Sequence, residues 1–243
     1  MILGKDFHIN DNGTLSFEDN IIAPEPDVRR VSDALEVLYE KTEPSDQALY
    51  YMYRSVCFTQ DQRIFIENNI RYDITVLVPG KVGKEYMKTV GHFHPGKDDS
   101  NDSFPEYYQV LSGEAIYLLQ KNSCGEVAEV IAIEAKEGDC VYIPPNYGHV
   151  TINPGKEFLV MANLIESNFK SIYDSFRKKR GAAYYYVDGE NGKNDWVKNT
   201  NYESSVALKV KAAPSLGQPV EKVKESGLYK AFINNPESFK FLK

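Results

Sequence analysis

Between residues 48 and 165 the chain breaks into ten short runs of β-type residues, separated by Gly, Pro or Asn about every ten positions. The runs cover 49–58, 63–67, 72–78, 87–94, 106–112, 115–120, 126–134, 139–143, 149–153 and 158–165. Many short strands with regular turn signals predict an all-β fold, closed into a barrel or sandwiched, because an open sheet of that size leaves exposed edges. Within 72–78 the alternation is explicit. Tyr72, Ile74, Val76 and Val78 share one face, and Asp73 and Thr75 share the other.

The flanks differ in character. Residues 1–30 are polar and proline-bearing, with a tight turn expected at Asn12-Gly13. Leu35, Leu38 and Tyr39 behind Ser32 predict a short helix over 32–39. Beyond Glu166 the reading is a helix over 171–179, paired strands at 183–187 and 196–198, an edge strand at 207–212 and a short helix at 228–232. The basic run Arg177 to Arg180, just before Gly181, suits the carbonyl end of the helix over 171–179. This divides the chain into an N-terminal extension (1–47) packing on the barrel, a barrel domain (48–201) and a C-terminal extension (202–243). A chain of 243 residues is long enough for one such core with appendages.

Charge narrows the partners. A net charge of −7 implies no basic face, so nucleic acid is not expected. No window is long and apolar enough for a membrane helix, and Met1 to Asp6 lacks the core of a signal peptide. Cys57, Cys124 and Cys140 are odd in number, widely spaced and without a Cys-x-x-Cys pair, as expected of free thiols in a reducing, cytoplasmic setting.

Three of the four histidines carry the chemistry. His92 and His94, at i and i+2 on one strand, can aim both imidazoles at one point, and His149 lies in a second block downstream. With Glu106 they form an N/O donor set suited to one divalent ion of the Fe, Mn, Ni, Zn or Co class. The surrounding pattern resembles the two cupin motifs: His92-x-His94 with the later Glu106 and Gly113, then Gly138, Pro144, His149 and Asn153. That resemblance implies a jelly-roll barrel. Eleven residues, 95–105, separate His94 from Glu106 where the common pattern has only a few. Their Gly, Asp, Ser and Asn content predicts a bulging loop. Tyr86 and Asn146 replace glycines of the pattern.

A narrower likeness follows from Pro79-Gly80-Lys81-Val82-Gly83-Lys84-Glu85 ahead of Lys88-Thr89-Val90-Gly91-His92-Phe93-His94. Val28-Arg29-Arg30-Val31-Ser32-Asp33, Gly181 to Tyr185 and Trp196-Val197 with Asn199 extend it over roughly 27–202. These segments resemble the cupin-type glucose-6-phosphate isomerases of archaea and some bacteria. The resemblance implies metal ligands at His92, His94, Glu106 and His149, and a phosphate grip at Tyr50, Thr75, Thr89 and Gly91. Glu106, a carboxylate beside that metal, is the candidate base, and Tyr108, on the same strand face, is placed to hydrogen-bond or shuttle protons, while the resemblance sets Tyr173 near the sugar and Ser171 where the family carries a His. The activity implied is interconversion of glucose 6-phosphate and fructose 6-phosphate by proton transfer through a cis-enediol, in a homodimer. Two other readings suit the same ligand set: an Fe(II) cupin dioxygenase, which calls for an apolar pocket, and a sugar-phosphate-binding cupin without turnover.

Overall fold

The computed structural model describes residues 6–243 apart from 99, 204, 205, 218 and 222, so the opening Met1 to Lys5 lies outside the described residues. Ten strands build its two main layers, nine of them between residues 27 and 166: β1 Asp27–Arg30, β2 Ala48–Tyr53, β3 Ile70–Leu77, β4 Glu106–Ser112, β5 Glu114–Ser123, β6 Glu126–Lys136, β7 Cys140–Ile143, β8 Tyr147–Ile152 and β9 Leu159–Glu166. Three follow them: β10 Tyr184–Asp188, β11 Asn194–Lys198 and β12 Leu208–Ala212. One antiparallel sheet has the order β7-β4-β9-β3-β2-β1, and the other runs β8-β5-β6-β12, with β12 parallel to β6 at the edge. An apolar core that includes Leu77, Val110, Ile116, Leu118, Val130, Val150 and Met161 draws on both sheets. The chain is all-β with the jelly-roll arrangement that the cupin motifs imply.

Strand alternation decides what each face meets. On β3 the apolar side, Tyr72, Ile74 and Val76, turns outward and is nevertheless buried, because the C-terminal segment covers it. The helix Leu228–Asn234 and the 3-10 turn Pro236–Leu242 supply Phe232, Phe239 and Leu242, each at most 1% exposed. Tyr229 pins the cover: its hydroxyl accepts from the Phe58 N–H at 2.9 Å and donates to Asp61 Oδ2 at 2.9 Å. The polar side of β3 faces the interior, where Asp73 and Thr75 line a cavity.

Several local expectations change. Residues 63–67 are helical, within Gln62–Asn68, a state that a run of that length is too short to reveal by its period. Only Phe65 is buried there, Ile66 is 66% exposed, Arg63 pairs with Glu67 one turn on, and Asn69 closes the helix at φ 52°. Residues 32–39 form two 3-10 turns, Val31–Asp33 and Leu35–Val37, in place of one helix. Val31, Ala34 and Val37 are buried at every third position, the 3-10 repeat, and the Ser32 hydroxyl donates away to the Ser45 carbonyl at 2.8 Å. The helix expected over 171–179 spans only Asp174–Lys178, because Ile172 is held extended by two backbone hydrogen bonds with Phe93. Residues 87–94 are not a continuous strand. They run beside β8 through isolated bridges, Lys88 with Ile152 and His92 with His149.

The hairpin at Asn12-Gly13, the pair β10–β11, the edge strand β12 and the helix from Leu228 all form near the expected positions. Among the described residues no helix is long and apolar enough to cross a membrane.

Removing the Phe232 ring from under β3 leaves a large void. Phe232→Ala is expected to cost about 3–5 kcal/mol in urea unfolding. A loss below about 1 kcal/mol would mean that the C-terminal cover adds little to the sheet.

Candidate metal centre

Two hydrogen bonds bring the distant histidine blocks together: His92 N–H to the His149 carbonyl at 3.2 Å and His149 N–H to the His92 carbonyl at 3.0 Å. Gly91 makes this approach possible. Its φ is +79°, and an added Cβ would lie 2.5 Å from Val150 Cγ2 and 3.1 Å from the His149 carbonyl oxygen. Glu106 opens β4 and reaches the same point from the other sheet. The inserted loop does not disturb it. Gly96 and Ser103 pair across the loop, returning the chain to β4, while Asp99 lies outside the described residues.

One ligand atom from each of His92, His94, Glu106 and His149 lies within 4.8 Å of all the others. His92 Nε2 and His94 Nε2 are 3.1 Å apart, and Glu106 Oε2 is 3.2 Å from His149 Nε2 and 3.4 Å from His94 Nε2. Donors about 2.1 Å from a shared ion at 90–110° to one another stand roughly 3.0–3.4 Å apart, so these three separations suit one ion. Protonation fits as well. Burial holds the His92 and His149 imidazoles below their ordinary range, so both stay neutral with a lone pair to give. Burial pushes the Glu106 carboxyl up, but His149 and His94 against it prevail and hold it well below the usual carboxylate range. His94 Nδ1–H donates to the Phe104 carbonyl at 2.7 Å, which fixes Nε2 as its free nitrogen. The inserted loop thus supplies the group that orients a ligand. Glu106 Oε2 and His149 Nδ1 are buried without a hydrogen-bond partner among the described residues, and the former points into the cluster.

A cavity opens beside the cluster, and every residue expected near the sugar or phosphate lines it, Tyr50, Thr75, Thr89, Gly91, Tyr108 and Tyr173, as do all the candidate metal ligands but His94. Burial raises the Tyr50 phenol to about 12, so it remains a protonated donor, and it accepts the Val90 N–H at 3.4 Å. Thr89 Oγ1 accepts the Thr151 N–H at 2.9 Å, leaving its own proton for a ligand. Tyr108 sits 3.2 Å from His149 Nε2, and burial together with the Glu106 charge keeps its phenol protonated well above the ordinary value. Tyr173 is half-buried with its ring 5.6 Å from His92. Ser171 faces the same cavity. Asn153 has a structural part: its amide donates to the Leu77, Val78 and Glu157 carbonyls and turns the corner after β8.

Sequence reasoning missed Arg54, Arg71, Asn163 and Thr151, all on the cavity wall. Thr151 follows His149 by two positions, so alternation alone would have placed it inward, and its buried hydroxyl has no partner among the described residues.

A family profile described as glucose-6-phosphate isomerase (GPI) matches residues 27–205. The glucose-6-phosphate isomerase of Thermococcus gammatolerans is 34% identical over 180 residues, 72% of this chain and 86% of that protein. That of Pyrococcus horikoshii is 31% identical over 183 residues, 73% of this chain and 88% of that protein. Among solved structures, the oxalate decarboxylase of Bacillus subtilis aligns with TM-score 0.36 at 20% identity, over 58% of this chain and 30% of that chain. An oxalate oxidase in complex with the substrate analogue glycolate aligns with TM-score 0.35 at 17% identity, over 43% of this chain and 46% of that chain.

Gly91→Ala is expected to separate residue 92 from residue 149 and weaken divalent-metal binding about tenfold or more, measured by titrating metal-free protein. Wild-type affinity in that variant would show that the bridge does not position the ligands.

Proposed function

The chain belongs to the glucose-6-phosphate isomerase family, and on that premise we propose that its cavity interconverts glucose 6-phosphate and fructose 6-phosphate at the cluster of His92, His94, Glu106 and His149. The observation that carries this reading is the juxtaposition of four converging ligand atoms with a cavity lined by hydroxyls. An Fe(II) dioxygenase would favour apolar walls around its oxygen site. Thr75, Thr89, Thr151, Tyr50 and Tyr108 offer hydroxyls instead.

The residues divide the work. Tyr50, Thr75, Thr89 and the Gly91 backbone hold the phosphate, since hydroxyls and N–H groups suffice for an anion without a helix terminus. The three imidazoles and Glu106 hold one divalent ion of the Fe, Mn, Ni, Zn or Co class. Such an ion would polarise the C1 and C2 oxygens and acidify the C2 proton. Glu106 is the base: Oε2 stays with the imidazoles while the other carboxylate oxygen takes the proton from C2 of the open-chain aldose and returns it to C1. Tyr108, a neutral phenol, donates to O1 as the cis-enediol forms and recovers a proton from O2 as it collapses. Net, one hydrogen moves from C2 to C1 and one from O2 to O1. Tyr173, above His92, closes the wall over the sugar.

The reading extends to the architecture. Residues 48–201 are the catalytic barrel, the extensions before and after it each add an edge strand, β1 and β12, and the working form is a homodimer in the cytoplasm.

In D2O, fructose 6-phosphate formed by the metal-loaded protein should carry deuterium at C1, since the enediol route lets the transferred proton exchange with solvent. Glu106→Gln should lower kcat by about 10²-fold or more while the fold, by circular dichroism, stays intact. Unchanged kcat would remove Glu106 from the role of base, and product with no deuterium would mean that the hydrogen reaches C1 without solvent exchange, whether returned by a shielded base or moved as hydride.

A further inference from the structure

The inward side chains of the large sheet lie in rows set by strand register. Met52 of β2 and Met161 of β9 each oppose Thr75 of β3, and the three form one row. The next contains Asp73 of β3, Asn163 of β9 and Tyr108 of β4, directly opposed in the pairing. Arg54, just past the end of β2, joins this row through a 3.6 Å contact with Asp73. One step further along, Glu106 lies two residues from Tyr108 on the same face of β4. Thr75 of the phosphate grip and Glu106 of the metal cluster therefore flank the middle row. A ligand that reaches from one to the other must cross it.

Most of that row is already engaged. Asp73 accepts the Ser55 N–H at 2.9 Å on Oδ1 and the Arg71 Nε–H at 2.8 Å on Oδ2. Arg54 is turned toward Asp27 at 3.1 Å and Asp73. The Tyr108 hydroxyl stands against His149. Asn163 is the exception: it is 4% exposed, lines the cavity, and its amide makes no hydrogen bond with another described residue. Buried amides are almost always satisfied, so this one is left for an occupant of the cavity. An amide carries both a donor and an acceptor, which is what a pair of adjacent hydroxyls needs.

We propose that Asn163 is a specificity-determining residue whose amide hydrogen-bonds the C3 and C4 hydroxyls of a sugar phosphate lying between Thr75 and Glu106. The inference rests on the isomerase reading for the identity of the ligand. The locked Arg54–Asp73–Arg71 cluster beside Asn163 fixes the wall it stands on and leaves the amide as the group that reads the middle of the sugar. A site that hydrogen-bonds a hydroxyl rejects an analogue lacking it far more strongly than a merely apolar wall does.

The test compares glucose 6-phosphate with its 3-deoxy and 4-deoxy analogues on wild type, Asn163→Leu and Asn163→Ala, by kcat/KM and by calorimetric Kd, with thermal unfolding to confirm folding. Wild type should prefer glucose 6-phosphate over at least one analogue by about 10²-fold or more. The variants should lose about 10- to 100-fold on glucose 6-phosphate and change less than about threefold on that analogue, so that the preference collapses. Equal losses on sugar and analogues, or no loss on either, would overturn the assignment. Absence of turnover in wild type would refute the isomerase reading alone, because the Kd values still report whether Asn163 distinguishes the hydroxyls.

Discussion

The two hydrogen bonds between the backbones of His92 and His149 are the contact on which the site depends. Two segments more than fifty residues apart must meet within ångströms before any ion can be shared. Nothing in the side chains enforces this. The enforcement lies in Gly91, whose positive φ and missing Cβ let residues 87–92 lie flat against β8. The jelly roll provides the third side, since β4 carries Glu106 to the same point from the opposing sheet.

Burial then sets the chemistry. In a buried site a charged imidazole is costly, so His92 and His149 remain neutral with a lone pair to offer, leaving Glu106 as the negative group of the cluster. The same burial keeps Tyr108 protonated. A neutral acid beside an ionised base is the pairing that moves protons between adjacent carbons and their oxygens. The inserted loop, which lengthens the path from His94 to Glu106, adds to this arrangement through the Phe104 carbonyl that holds the His94 ring.

The chain's own pattern revealed much of this and concealed the rest for identifiable reasons. The convergence of His92, His94, Glu106 and His149 was legible because a metal-ligand pattern constrains residue type and spacing together. The inward turn of Asp73 and Thr75 was legible because alternation on a strand is strict. Residues 63–67 were not, because five residues are too few to separate a helical from an extended repeat. The break at Gly91 was hidden since glycine interrupts a strand without changing the pattern around it. Asn163 and Arg54 matter only through their neighbours in adjacent strands. Pairing register between distant segments is a property of the folded chain that no local window contains.

In the proposed chemistry, one ion in this cradle is required for aldose–ketose conversion. The direct measurement titrates metal-stripped protein with a divalent ion while following bound metal and fructose 6-phosphate formation together. No turnover is expected without metal, and activity should rise in proportion to occupancy up to one equivalent per chain. Full activity in stripped protein, or metal binding that leaves activity unchanged, would contradict it.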